Sequence, residues 1–243
     1  MKTLKTLAAA LAITLSTQAC ATGSLVDVIV RDRAVGAPLA VHWHRGRAYV
    51  AGMPGHEYSL MLRNRSAEPL LAVVSVDGVN VVTGETADPR QGGYVIAAGA
   101  SVEIFGWRKS LSHTAAFYFT DLGDSYAARS GRPDNVGVIG VALFRQMARP
   151  PAQLGRVERA APAERIADAV GSPLGTGHGR REESQAYYVR FERASSVPAE
   201  TVTLYYDSRA NLAARGVLEG PRPFPGFVPD PPGVTLPWHG GHG

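Results

Sequence analysis

The sequence predicts a mainly β protein, an antiparallel β-sandwich (Ig-like or jelly-roll-like) with one or two short helices after residue 150. Three observations predict it. Between residues 25 and 144 the apolar runs are short, of strand length, and several alternate with polar residues. Gly, Pro and Asp separate them at regular spacing, as turns do in sandwiches and barrels. No run in this stretch sustains a helical period.

The elements follow in chain order. Residues 25–30 form a first strand. In 39–44, Leu39, Val41 and Trp43 share one face, and His42 and His44 the other. Residues 58–64 make a third strand. The run 70–76 is almost continuously apolar, which suits a strand buried in mid-sheet. Asp77-Gly78 is a tight hairpin turn into 79–82. Gly92-Gly93 introduces 94–96. Val102, Ile104 and Trp107 lie on a strand interrupted at Gly106, and 115–120 and 136–144 supply two more. Past Phe144, Arg149-Pro150-Pro151 breaks the pattern. Residues 162–170 read as a short helix ended by Gly171, and Gly175-Thr176-Gly177-His178-Gly179 reads as a flexible loop. Strands are expected at 186–192 and 201–206, and a helical turn at 211–215 stopped by Gly216. The Pro- and Gly-rich residues 219–243 bury too little to order themselves and read as a tail.

The first residues carry a different signal. Lys2 and Lys5 form a basic start, 7–15 a short apolar core, and Ala19-Cys20-Ala21 an A-x-A exit, the pattern of a secretory signal peptide. The apolar run is too short to span a bilayer, which takes about 20 residues. The expectation is cleavage after Ala21, leaving 22–218 as one sandwich-like domain that is periplasmic or extracellular. The alternative is a lipoprotein anchored through Cys20. Cys20 is the only cysteine, so cleavage after Ala21 leaves no thiol and no disulfide. Loss of Lys2 and Lys5 takes the formal charge from +4 to +2. That near-balance argues against a nucleic-acid partner. No later segment is long and apolar enough for a transmembrane helix.

Several blocks carry a resemblance. They are residues 75–84, 93–96, 106–110, 124–129, 135–141, 175–179 and 206–208. Together they resemble a family of exported bacterial proteins that forms a domain of unknown function, over roughly residues 25–218. The resemblance implies a secreted domain and supplies no activity, cofactor or site residue.

Candidate sites come from the residues themselves. His42 and His44, on one strand face, have a spacing that chelates a metal if His113 or His178 supplies a third ligand. The bland reading is the wet face of an amphipathic strand. His178 and Glu182 suit an acid/base pair, with Asp207 or His113 as helpers, although no nucleophile stands beside them. Arg180 and Arg181 next to glycines suit an anion; the alternative is a plain connecting stretch. Asp77 and residues 121–124 suggest calcium, without the ring of oxygens such a site needs. Trp107 and Arg108, with Tyr126 and Arg129 on a polar loop, suit recognition of glycan or protein at a sandwich end; the alternative is a core Trp capped by Arg108.

The function these readings favour is a non-enzymatic binding or structural module of the bacterial cell envelope, with an envelope protein or glycan as partner and no cofactor. The alternatives are a periplasmic hydrolase using His178, and a metal-binding protein using His42 and His44.

Overall fold

The computed structural model describes residues 21–121, 124–129, 131, 135–148 and 174–219. The expected signal peptide apart from Ala21, the helix expected at 162–170 and the expected tail apart from Glu219 lie outside the described residues.

The strands are β1 (Ala21–Thr22), β2 (Val26–Asp32), β3 (Ala37–Pro38), β4 (Val41–His44), β5 (Arg47–Gly52), β6 (Glu57–Asn64), β7 (Leu70–Val76), β8 (Val79–Asn80), β9 (Tyr94–Ile96), β10 (Ser101–Ile104), β11 (Gly106–Arg108), β12 (His113–Asp121), β13 (Val138–Arg145), β14 (Leu174–Glu183) and β15 (Glu200–Ser208). Helix α1 (Tyr126–Arg129) and helix α2 (Arg209–Ala214) are short. Two open sheets pack face to face as a β-sandwich. The first runs β1-β2-β6-β12-β11, with β3 on β2, β10 on β6 and β14 on β12. The second runs β4-β5-β15-β13-β7-β8, with β9 on β7. All pairings are antiparallel except β5 with β15, so the sandwich is not wholly antiparallel as the sequence predicts.

Alternation explains the layers. In β2, Val26, Val28 and Val30 point into the core, as do Leu60 and Leu62 of β6. The expected mid-sheet strand is β7, which pairs with β13 on one side and with β8 and β9 on the other. Its even positions fill the main core. Leu71 and Val73 pack on the opposite face with Phe144 and Phe191. The Asp77-Gly78 hairpin is present, both residues at positive φ (52° and 73°), as a type I′ turn requires.

Three expectations change. Gly175-Thr176-Gly177-His178-Gly179 is not a loop but the heart of β14, paired along β12. Its glycines admit neighbours too close for a side chain: a Cβ on Gly177 would lie 2.1 Å from the Tyr118 ring, and one on Gly175 2.3 Å from Ser125. Residues 186–192 form no strand; they cross from the end of β14 toward β15 without joining either sheet. Trp43 is 58% exposed, although it alternates with buried Val41, because β4 is an edge strand that pairs only with β5. The helical turn before Gly216 is α2, capped by the Ser208 side chain.

Candidate functional site

The deepest polar feature of the sandwich is closed to solvent. Asp77, Thr176, Tyr58 and Tyr206 are all buried. The Asp77 carboxylate accepts from the Gly137 amide at 2.9 Å, the Thr176 amide at 2.7 Å and the Tyr206 hydroxyl at 2.5 Å. Tyr206 spends its proton on Asp77, so Thr176 Oγ1 donates to Tyr206 (2.7 Å) and the Tyr58 hydroxyl donates to Thr176. Burial holds both tyrosines well above the ordinary phenol range, so they stay protonated donors. This chain ties the hairpin to β6, β14 and β15. It saturates Asp77 and leaves it no role as a calcium ligand.

The open feature is a cleft of about 1130 Å³ bordered by β9, β11, β14 and residues 184–193. Its inner wall is aromatic. Trp107 from β11 meets the Phe117 ring edge-on at 5.2 Å and the Tyr126 ring at 4.8 Å, and its indole N–H donates to the Gly177 carbonyl at 3.3 Å. The His178 ring stacks on Tyr126 at 5.5 Å. Arg108 donates to the Ser184 carbonyl (2.5 Å), Ser184 Oγ (3.1 Å) and the Tyr94 hydroxyl (3.3 Å), fixing the start of the 184–193 segment to the sheet.

The rim is cationic. Arg90, Arg108, Lys109, Arg181, Arg190 and Arg193 line the cleft, against the single carboxylate of Glu103. Arg90 pairs with Asp88 and Arg190 with Glu192. Glu103 accepts from Ser59 and lies 3.8 Å from Arg31. Among the described residues no carboxylate lies within ion-pair distance of Arg108, Arg181 or Arg193. Arg193 donates instead to the carbonyls of Pro89, Arg90 and Gln91 and lies over the Phe144 ring at 4.0 Å. Burial lowers its pKa, the Asp88 charge opposing.

Of the residues singled out in the sequence, Trp107, Arg108, Tyr126 and His178 therefore converge on one cleft. Trp107 is also a buried core residue. Arg129 closes α1 and does not line the cleft. Glu182 does not join His178. The register slips between Ala115 and Phe117, so that Gly179 and Arg180 together oppose Ala116. That β-bulge leaves His178 opposite inward-facing Phe117 and turns Glu182 to the outer face, where it pairs with Arg33 (2.7 Å) and Arg180. Asp207 is held by Arg215 and Asn211 beside α2. His113 bonds Ser112 at 2.8 Å. The acid/base set is thus dispersed.

His42 and His44 lie on β4 of the second sheet, whereas His113 and His178 belong to the first. Burial, then the Arg209 charge, lowers the His42 pKa. Among the described residues no group of three or more His, Cys, Asp or Glu gathers as a metal site, and no helix is long and apolar enough to cross a membrane.

Sequence reasoning missed the Asp77 chain and the rim arginines of residues 190–193. The signal for the first was a carboxylate in a hairpin flanked by apolar runs. Compared with family models, curated proteins and solved structures, the chain matches none.

Proposed function

We propose that this chain is an exported, non-enzymatic binding module of the bacterial cell envelope, and that its ligand sits in the cleft walled by Trp107, Tyr126 and His178. Export rests on the basic, apolar and small-residue sequence of the first 21 residues. One observation carries the binding reading. A half-apolar concavity of about 1130 Å³ converges on aromatic rings and on Arg108 and Arg181, cations with no carboxylate at ion-pair distance among the described residues. Aromatic faces with a few placed charges are what ligand sites present, and uncompensated arginine selects an anionic partner. An envelope protein or an acidic glycan meets that description.

The test is in-cell photo-crosslinking. A photoreactive phenylalanine analogue replaces Leu111, an exposed residue of the cleft rim, or Val35, an exposed residue outside the lining. The expected result is a discrete adduct from position 111 and none from 35. Equal labelling at both positions, no adduct at all, or a turnover by the purified protein that His178→Ala abolishes overturns the reading.

A further inference from the structure

We infer that residues 187–191 are a vacant strand position, at which an extended, acidic segment of a partner protein pairs by its main chain. The inference rests on the binding reading above and names its partner class.

Local sequence and structure disagree here in an informative way. Tyr187-Tyr188-Val189-Arg190-Phe191 is rich in residues that favour strands. Yet the segment belongs to no sheet, and among the described residues its backbone amides and carbonyls make no hydrogen bond. Both ends are fixed. The Ser184 amide donates to Ser112 and the Ala186 amide to Leu111; beyond it, Met147 donates to the Glu192 carbonyl and Ala194 to Arg145. The span therefore crosses from the first sheet's side to the second's with its ends tied and its own main-chain groups unbonded among the described residues, so that a partner's main chain can pair with them. Phe191 packs on the outer face of β7, whereas Tyr187 (83% accessible), Tyr188 (51%) and Val189 (50%) are exposed. Such rings leave water only when something covers them.

The charge of the partner follows from the neighbours. The span borders the cleft whose rim carries Arg181, Arg108 and Arg193, with no carboxylate at ion-pair distance among the described residues. An incoming strand with Asp or Glu at alternate positions meets these guanidiniums while its main chain pairs with 187–191. A glycan offers no amide ladder and leaves the exposed backbone unanswered, so the peptide is the favoured occupant.

The experiment pans a phage-displayed library of linear peptides on the purified exported protein and then measures amide hydrogen exchange with the selected peptide. The expected peptides carry net negative charge among β-branched or aromatic residues. Amides of 187–191 exchange rapidly in the free protein and slow by about tenfold or more in the complex. Val189→Pro removes a backbone donor that makes no hydrogen bond in the fold; it abolishes binding and leaves the melting temperature unchanged. Failure to enrich any peptide, binding without protection of 187–191, or equal binding by Val189→Pro overturns the inference. If the crosslinker at position 111 still captures a glycan, the strand proposal falls alone; if the cleft captures nothing, the binding reading falls too.

Discussion

The Tyr206 hydroxyl donates to the Asp77 carboxylate at 2.5 Å in the centre of the sandwich, joining the β7–β8 hairpin to β15 across 129 residues of sequence. Removing that hydroxyl leaves Asp77 Oδ1 with only the Gly137 amide and takes away the acceptor of the buried Thr176 hydroxyl. A buried polar group left short of a partner costs about 1–3 kcal/mol. Tyr206→Phe is therefore expected to destabilise the fold by about that amount, read as a lower urea midpoint with an unchanged slope. An unchanged midpoint would mean that the Gly137 and Thr176 amides satisfy the carboxylate by themselves.

Asp77 also sets a pH dependence. Burial pushes its carboxyl up to about 6, and the hydrogen bonds from Tyr206, Thr176 and Gly137 pull it back only in part. The folded chain thus binds this proton more tightly than the unfolded chain, where the ordinary value is about 3.9. The stabilisation is fully present below about pH 4 and is lost as pH rises through 6. The stability of the wild type minus that of Asp77→Asn is expected to fall by on the order of 2–3 kcal/mol between pH 4 and pH 7. Denaturant titrations across that range check it; a flat difference shows that Asp77 titrates in its ordinary range, and a rising one that folding lowers its pKa.

What was legible in the sequence was what local chemistry decides. Asp77-Gly78 forms its turn because the two positive φ angles of a type I′ turn suit those residues. Strand β7 reads correctly because a strand buried on both faces must be apolar throughout. Elsewhere, partners decide. The glycines of β14 suggest flexibility by composition, but their lack of side chains admits Tyr118 and Ser125. Residues 186–192 have the composition of a strand, but main-chain bonds at Ala186 and Glu192 tie the segment's ends outside both ladders. Trp107, Arg108, Tyr126 and His178 were visible as candidates, and the fold gathers them. Glu182 was separated from His178 by a bulge whose register depends on β12, which spacing along one strand does not reveal.

The glycines give a graded prediction. A Cβ on Gly106 would lie 1.9 Å from the Ala115 carbonyl oxygen, a backbone atom held by the β11–β12 ladder. A Cβ on Gly177 would meet the Tyr118 ring, a half-buried side chain that can rotate away. Gly106→Ala is therefore expected to cost the full overpacking penalty of about 3 kcal/mol or more, and Gly177→Ala about 1 kcal/mol. Chemical denaturation of the two variants ranks them. The reverse order would show that the ladder yields more easily than the ring.

Arg108 makes a prediction about the 184–193 segment. Its planar fork reaches both Ser184 oxygens and the Tyr94 hydroxyl at once, which a lysine ammonium does not reproduce. Arg108→Lys is expected to release the start of the segment while altering global stability by less than about 1 kcal/mol, because the contacts are half-exposed. Limited chymotrypsin digestion reads the release as several-fold faster cleavage after Tyr187 and Tyr188. Unaltered cleavage would show that the Ala186 and Glu192 main-chain bonds hold the segment by themselves.

If the chain is exported as proposed, burial bears on where the signal peptide is cut. Ala21 is 2% exposed, pairs with Val28 and belongs to the main core. Next to it, the Glu200 carboxylate accepts the amides of Ser24 (2.5 Å) and Leu25 (2.7 Å), holding this end against β15. Cleavage after Ala21 removes a core residue and its pairing with Val28. Cleavage after Ala19 keeps Ala21 in its strand and leaves Cys20 as the first residue. The intact mass of the exported protein is therefore expected to correspond to a chain starting at Cys20, carrying acyl groups if this cysteine is a lipid anchor and a free thiol if it is not. A mass that starts at Thr22 would show that the sandwich forms without β1.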